Sequence, residues 1–241
     1  MESTSGEAGL AEISNLVEES AYRDTEFVFK DRLHAGELLA EKLRLRVANR
    51  NVQVLAIPAG GVPVGYVLAK KLNIPFDVVI VRKIQIPWNT EAGFGAVTWD
   101  GRPILNELLI AQLGLGAEVV EQCISRTRQM VHERNQRLRG GRPFPDLSGR
   151  TVILVDDGLA SGFSMLAAAE SIKTRRPRKM VVAVPTGSAN AIALLAPNVD
   201  ELVCLNVRTG PIFAVADAYE NWCDLSDDEV LEYLRRNWKE K

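Results

Sequence analysis

The chain is poor in the residues that build covalent or metal-held scaffolds. Its 241 residues include three cysteines, Cys123, Cys204 and Cys223. They are far apart and odd in number, which argues against a disulfide framework or a zinc cluster and suits reduced thiols in a cytoplasm. The two histidines, His34 and His132, cannot form a metal cluster by themselves, and both read as surface residues of helices. No apolar run is long enough to span a bilayer. The first twenty residues, MESTSGEAGLAEISNLVEES, are acidic and lack a cationic flank with an apolar centre, so they do not read as a secretory signal. The formal net charge of −2 is too small to argue for a nucleic-acid or membrane partner. What is present is an ordinary globular balance, 46% hydrophobic and 25% charged, in a chain long enough for one substantial core. The expected location is the cytoplasm.

Apolar patterning alternates between short β-prone runs and helical periods. Residues 1–20 read as a flexible tail. Val52 to Ile57, Asp77 to Val81, Val152 to Val155, Met180 to Val184 and Glu201 to Leu205 read as strands. Helices are expected over Leu33–Val47, Pro63–Leu72, from Met165 to about Thr174, over Ala189–Leu195 and over Val230–Trp238, with proline or acids in the first turn of several. Residues 84–101 read as a long glycine-containing lid loop. An arginine-rich helical insertion covers about 106–139, broken near Leu113-Gly114-Leu115-Gly116. The alternation predicts an α/β fold: one doubly wound, mostly parallel sheet, in a single domain over 21–241. In such sheets ligands bind at the carboxyl ends of the strands. The loops Pro58–Gly61, Arg82–Gly101, Asp156–Ser164 and Pro185–Ser188 would meet there.

The most informative stretch is Val152 to Met165, VILVDDGLASGFSM. A buried strand runs into Asp156 and Asp157, then into the small-residue loop Gly158-Leu159-Ala160-Ser161-Gly162-Phe163-Ser164 at a helix N-terminus. Small residues let backbone N–H groups close on phosphate oxygens, and the helix N-terminus favours negative charge. The carboxylates accept hydrogen bonds from vicinal hydroxyls. Ala59-Gly60-Gly61 follows the first strand, and adjacent glycines allow a backbone to approach an anion closely. Arg82 and Lys83 lie at the next strand and can neutralise a leaving anion.

These residues resemble the phosphoribosyl pyrophosphate (PRPP) signature of type I phosphoribosyltransferases. The wider pattern is Phe29-Lys30-Asp31-Arg32, Pro58-Ala59-Gly60-Gly61-Val62, Val81-Arg82-Lys83, Gly95-Ala96-Val97 and Phe213-Ala214-Val215-Ala216-Asp217-Ala218-Tyr219. It is similar to a poorly characterised bacterial and archaeal branch of that family. The resemblance implies a pentosyltransferase of nucleotide metabolism that moves 5-phosphoribosyl from PRPP to a nitrogen acceptor, with release of pyrophosphate. It gives Asp156 and Asp157 to the ribose hydroxyls, Gly158 to Ser164 to the 5′-phosphate, and Arg82 and Lys83 to the leaving diphosphate. Ala59, Gly60 and Gly61 would contact the diphosphate from a loop that often holds a non-proline cis peptide. It also implies Mg²⁺ bridged by substrate oxygens, with Asp156 and Asp157 as candidate ligands, and a homodimer. On this expectation Asp157→Asn weakens PRPP binding and leaves the fold intact.

Departures from the pattern limit the reading. Ala160 stands where enzymes for 6-oxopurines usually carry an acid, and Pro185-Thr186-Gly187-Ser188 lacks their base-reading lysine, so no base is named. The usual lid motifs are absent between Gln85 and Gly101. Arg126, Arg128, Arg134, Arg137 and Arg139 admit two readings, a solvated face paired with Glu121 and Glu133, or a phosphate clamp over the site. Phe213 is the C-terminal aromatic expected nearest the acceptor. A non-catalytic PRPP- or nucleotide-binding regulator of the same fold is the alternative, although no DNA-binding pattern is evident.

Overall fold

The structure, a computed structural model, describes residues 13–47 and 51–239. In chain order the elements are β1 (Leu16–Val17), α1 (Arg32–Leu43), β2 (Val52–Ala56), α2 (Gly61–Leu72), β3 (Phe76–Val78), β4 (Val81–Ile86), β5 (Asn89–Thr98), β6 (Pro103–Leu105), α3 (Glu107–Gln112), α4 (Ala117–Arg139), β7 (Thr151–Val155), α5 (Phe163–Lys173), β8 (Lys179–Ser188), α6 (Ala189–Leu195), β9 (Glu201–Arg208) and α7 (Asp227–Lys239).

Six strands form a parallel sheet in the order β1-β9-β8-β7-β2-β3. The central strands β2 and β7 are buried along their whole length, as expected where helices cover both faces of a parallel sheet. Successive side chains alternate between those faces. Val54, Ala56, Ile153 and Val155 join the core under α1 and α2, with Leu39, Leu43, Val64 and Leu68. Leu55, Leu154, Val182 and Val184 join the opposite core under α5 and α6, with Ala168, Ile172, Ile192 and Leu195. Local chemistry sets the helix ends. Asp31 caps α1 by accepting from the His34 N–H at 2.9 Å, and Ser188 caps α6 by accepting from the Ala191 N–H at 3.1 Å.

The mostly parallel α/β fold agrees with the sequence pattern, but three local expectations are corrected. Leu16–Val17, expected within a flexible tail, is an edge strand paired with Leu202 and Val203, and Asn15 donates to the Ala196 and Val199 carbonyls at 2.9 Å. Two residues are too short to show a period, and the open edge of β9 provides the partner. Residues 1–12 of that tail lie outside the described residues.

The expected lid loop is instead an antiparallel sheet, β4-β5-β6. Its glycines reflect close strand contact: a Cβ on Gly95 would lie 2.5 Å from the Ile104 carbonyl oxygen. Ile84 of β4 and Phe94 and Val97 of β5 are fully buried. Finally, β8 does not end at Pro185 but continues through Ser188, with Thr186 paired to Asn206 and Gly187 to Val207. Proline is accepted here because no ladder contact between β8 and β9 uses its missing N–H.

Candidate functional site

Strands β2 and β7 are direct neighbours, with Ala56 opposite Val155. The loops that follow therefore leave the sheet side by side. The first contains a non-proline cis peptide, Pro58–Ala59. Its glycines are dictated by contact with the second loop. A Cβ on Gly60 would lie 1.8 Å from Asp157 Oδ2, and one on Gly61 would lie 2.7 Å from the Val155 carbonyl oxygen. Only a residue without a side chain lets this backbone lie against the carboxylate.

Asp156 and Asp157 sit half-buried at the end of β7. The Asp157 N–H donates to Asp156 Oδ1 at 2.9 Å. Asp157 Oδ2 is ion-paired with Arg32 Nε at 2.8 Å. Arg32 also donates through Nη1 to the Cys223 carbonyl at 2.8 Å, and its guanidinium lies 3.8 Å from the Trp222 ring centroid. The Tyr219 hydroxyl donates to the Asp157 carbonyl at 2.6 Å, and its ring packs on Phe29 and Trp222. Residues 29–32 and 219–223 thus wall one side of the acid pair.

Burial holds the Asp156 carboxyl well above the ordinary carboxylate range, and the neighbouring Asp157 charge adds to the effect while Arg32 offsets part of it. Burial likewise raises the Tyr219 phenol, so it remains a donor.

Arg32 is the candidate site residue that sequence reading missed. Its motif was visible, but its partner lies 125 positions away. Asp157 also anchors this buried guanidinium, so Asp157→Asn would disturb a structural ion pair as well as a ribose contact.

In the second loop, Leu159 serves the fold. It is buried, its N–H donates to the Thr186 carbonyl at 3.0 Å, and its carbonyl accepts from the Ser188 N–H at 3.0 Å. This removes its N–H from the expected phosphate contacts. Gly158 is fixed by the C-terminal segment: a Cβ there would lie 2.5 Å from Val215 Cγ1. Ala160 accepts from Ser188 Oγ at 2.7 Å. Gly162 takes φ 76° at the start of α5, where glycine is favoured. Ser161 and Phe163 are exposed and Ser164 is half-buried in the first helical turn. Among the described residues the amides of Ala160, Ser161 and Gly162 make no backbone hydrogen bond, so they are available to an anion at the α5 N-terminus.

The family profile described as a phosphoribosyl transferase domain matches residues 30–207. The chain belongs to the phosphoribosyl transferase family. Two Mycobacterium tuberculosis proteins, from strains CDC 1551 / Oshkosh and ATCC 25618 / H37Rv, are each 37% identical to it over 209 residues and are provisionally named phosphoribosyl transferases. The match covers 87% of this chain and 47% of theirs, so the chain spans about half the length of the curated relatives it matches. The crystal structure of the protein TT1426 from Thermus thermophilus is similar at 38% identity and a TM-score of 0.72, over 86% of this chain and 98% of that one.

Around the phosphoribosyl transferase core, the other candidate residues divide. Arg82 and Lys83 do not end a strand of the main sheet. They lie within β4, where alternation sends them to opposite faces. Arg82 is half-buried and lines a cleft of about 390 Å³ with Met130, Glu133, Arg134, Arg137 and Asp227, whereas Lys83 is exposed.

Arg126 is exposed, and the other four α4 arginines find partners away from Glu121 and Glu133. Arg134 pairs with Asp227 at 2.8 Å and Arg137 with Asp228 at 2.9 Å, both on α7. Arg128 donates to the Gly101 carbonyl at 3.0 Å. Arg139 is buried and structural, donating to Asp77 Oδ1 at 2.6 Å and to the Val78 and Pro143 carbonyls. Phe213 is half-buried, 5.8 Å from the Arg208 guanidinium. Among the described residues, no cluster of three or more His, Cys, Asp or Glu could hold a metal ion, and no helix is long and apolar enough to cross a membrane.

Proposed function

We propose that this phosphoribosyl transferase domain binds PRPP with Mg²⁺ and transfers its 5-phosphoribosyl group to a nitrogen acceptor, releasing pyrophosphate. One observation carries the reading. The Gly60 backbone lies against the Asp157 carboxylate, so a loop suited to a diphosphate and a pair suited to ribose hydroxyls converge on the space one sugar phosphate occupies.

In this scheme the amides of Ala160, Ser161 and Gly162, with the Ser161 and Ser164 hydroxyls, hold the 5′-phosphate at the α5 N-terminus. Asp156 and Asp157 accept from the ribose hydroxyls and stabilise positive charge developing on the ring. Arg32 fixes the orientation of Asp157 and balances one of the two adjacent charges. The backbone of Ala59, Gly60 and Gly61 approaches the diphosphate, and Arg82 neutralises it as it departs. The nitrogen lone pair forms the new bond to C1 on the face opposite the breaking C–O bond, with inversion.

Two adjacent carboxylates and no third ligand among the described residues fit an ion held mainly by substrate and water oxygens. Bound Mg²⁺ would supply neutralisation of the diphosphate charge. The reading carries with it a cytoplasmic role in nucleotide metabolism and the homodimer that the family resemblance implies.

The test is calorimetric titration of the purified protein with PRPP and Mg²⁺, followed by a pyrophosphate-release screen over nucleobases and small amines. Binding with acceptor-dependent release supports the reading and names the acceptor class. Absence of PRPP binding overturns it.

A further inference from the structure

A second cleft, of about 430 Å³, opens between the starts of α1 and α2, the 220–225 segment and α7. Among the described residues its walls include nothing from the Pro58–Gly61 loop, the acid pair or the 158–164 loop. It is therefore a space apart from the sugar-phosphate site. Arg32 borders both, because it lines this cleft and pairs with Asp157 at 2.8 Å.

Leu33 and Trp222 line the cleft and are 40% and 36% exposed, and Leu225 lies beside them. A single exposed apolar side chain is ordinary, but apolar and aromatic residues gathered in one concave space mark a ligand site. Tyr233 adds a ring from α7, packed on Tyr66 at a centroid distance of 5.5 Å. Its hydroxyl makes no hydrogen bond among the described residues. Burial raises this phenol above its ordinary value, with Arg236 offsetting part of the effect and the Asp31 charge adding to it. The hydroxyl therefore keeps its proton.

The charge of the cleft is negative. Asp31 and Glu220 line it, and neither forms an ion pair among the described residues. Asp31 Oδ1 accepts the His34 N–H that caps α1, and Glu220 is exposed. Arg32 is the cation in the lining, and Asp157 already compensates it. Two carboxylates beside aromatic rings attract a cation and repel an anion. A bare Mg²⁺ or Ca²⁺ fits poorly, because such ions require about six or more oxygen ligands and these walls are largely apolar.

We propose that this cleft binds an organic ammonium ion with an apolar body. The charge lies between Asp31 and Glu220, and the body packs on Leu33, Trp222 and Leu225. The site is independent of the PRPP reading, since none of its contacts involves a phosphate or a ribose.

The experiment titrates 2-phenylethylammonium into the full chain by calorimetry, without PRPP. The same titration uses 2-phenylethanol, phenylacetate and methylammonium, which remove the charge, reverse it or remove the body. The first ion should bind one to one, with a Kd of about 0.1–1 mM. The alcohol and methylammonium should each bind about tenfold more weakly, and phenylacetate should not bind. Glu220→Gln and Asp31→Asn should each weaken the ammonium ion about threefold, and asparagine at 31 still caps α1. Trp222→Ala should weaken it about tenfold.

Absence of binding up to about 10 mM overturns the proposal. So does equal affinity for the alcohol or for phenylacetate, or an affinity that both carboxylate variants retain. If Trp222→Ala fails to fold, Glu220→Gln decides, since that exposed side chain has no protein partner to leave unpaired. A protein that binds the ammonium ion and ignores PRPP in a separate titration supports this site and sinks the function reading. PRPP binding without ammonium binding does the reverse.

Discussion

Replacing Arg32 with methionine tests whether the acid pair is held as a unit. Arg32 and Asp157 side chains are only 9% and 14% exposed, and their N–O distance is 2.8 Å. Removing one partner of a buried pair leaves an uncompensated charge, which costs about 3–5 kcal/mol. The lost contact with the Trp222 face, at 3.8 Å, adds about 1 kcal/mol, and methionine restores some apolar packing. The net expectation is about 3 kcal/mol, or a fall in Tm of about 6–12 °C for a domain of this size.

The loss should also depend on pH. Asp156 is already raised by burial and by Asp157, and Arg32 opposes that shift. Without Arg32 the folded-state value of Asp156 rises further. The folded protein then binds more protons than the unfolded chain at every pH between the unfolded carboxylate value near 4 and the folded value. Stability must fall as pH rises through that window. Urea denaturation at a series of pH values from 4 to 8 measures both effects. Below the wild-type folded value of Asp156 the cost relative to wild type should stay flat, and it should grow as pH rises past that value. A cost below 1 kcal/mol at pH 8 would refute the argument. Arg32→Lys, which keeps the charge and loses the fork, should recover part of the stability.

Three further outcomes are expected. Gly60→Ala should abolish PRPP binding by calorimetry and cost about 1–3 kcal/mol of stability, because its Cβ would sit 1.8 Å from Asp157 Oδ2; wild-type affinity in the folded variant would contradict the close approach. Asp156→Asn removes a carboxyl whose raised value makes the fold lose stability as pH rises above about 4. It should melt higher than wild type at pH 8 yet bind PRPP more weakly, and a lower melting temperature at pH 8 would contradict the electrostatics. Arg139→Met should cost about 3–5 kcal/mol in urea denaturation, because a 3%-exposed guanidinium serves Asp77 and two carbonyls. Its PRPP affinity should stay at the wild-type value once folded.

Much of the fold is legible in the chain because local rules set it. Val152 to Val155 is an uninterrupted apolar run, buried on both faces. Helices around it begin where Asp31 and Ser188 can cap them, and both signals act over a few residues. The 84–101 segment fails the same reading. Its glycines and polar residues look like a loop until β6 lies beside β5 and turns Gly95 into a contact point.

Local order along the chain was enough to set the alternation of strand and helix, the acid pair at the end of a buried strand, and the glycine loop that such a pair requires beside it. Which charges meet was left to packing. Folding joined Arg32 to Asp157 and Arg134 to Asp227, gave Arg139 to Asp77, and assigned the Leu159 amide to Thr186. The physical reason is one of range. Secondary structure follows from hydrogen bonds and apolar periods within a few residues. An ion pair between distant positions exists only once packing has fixed both backbones and taken both side chains out of water.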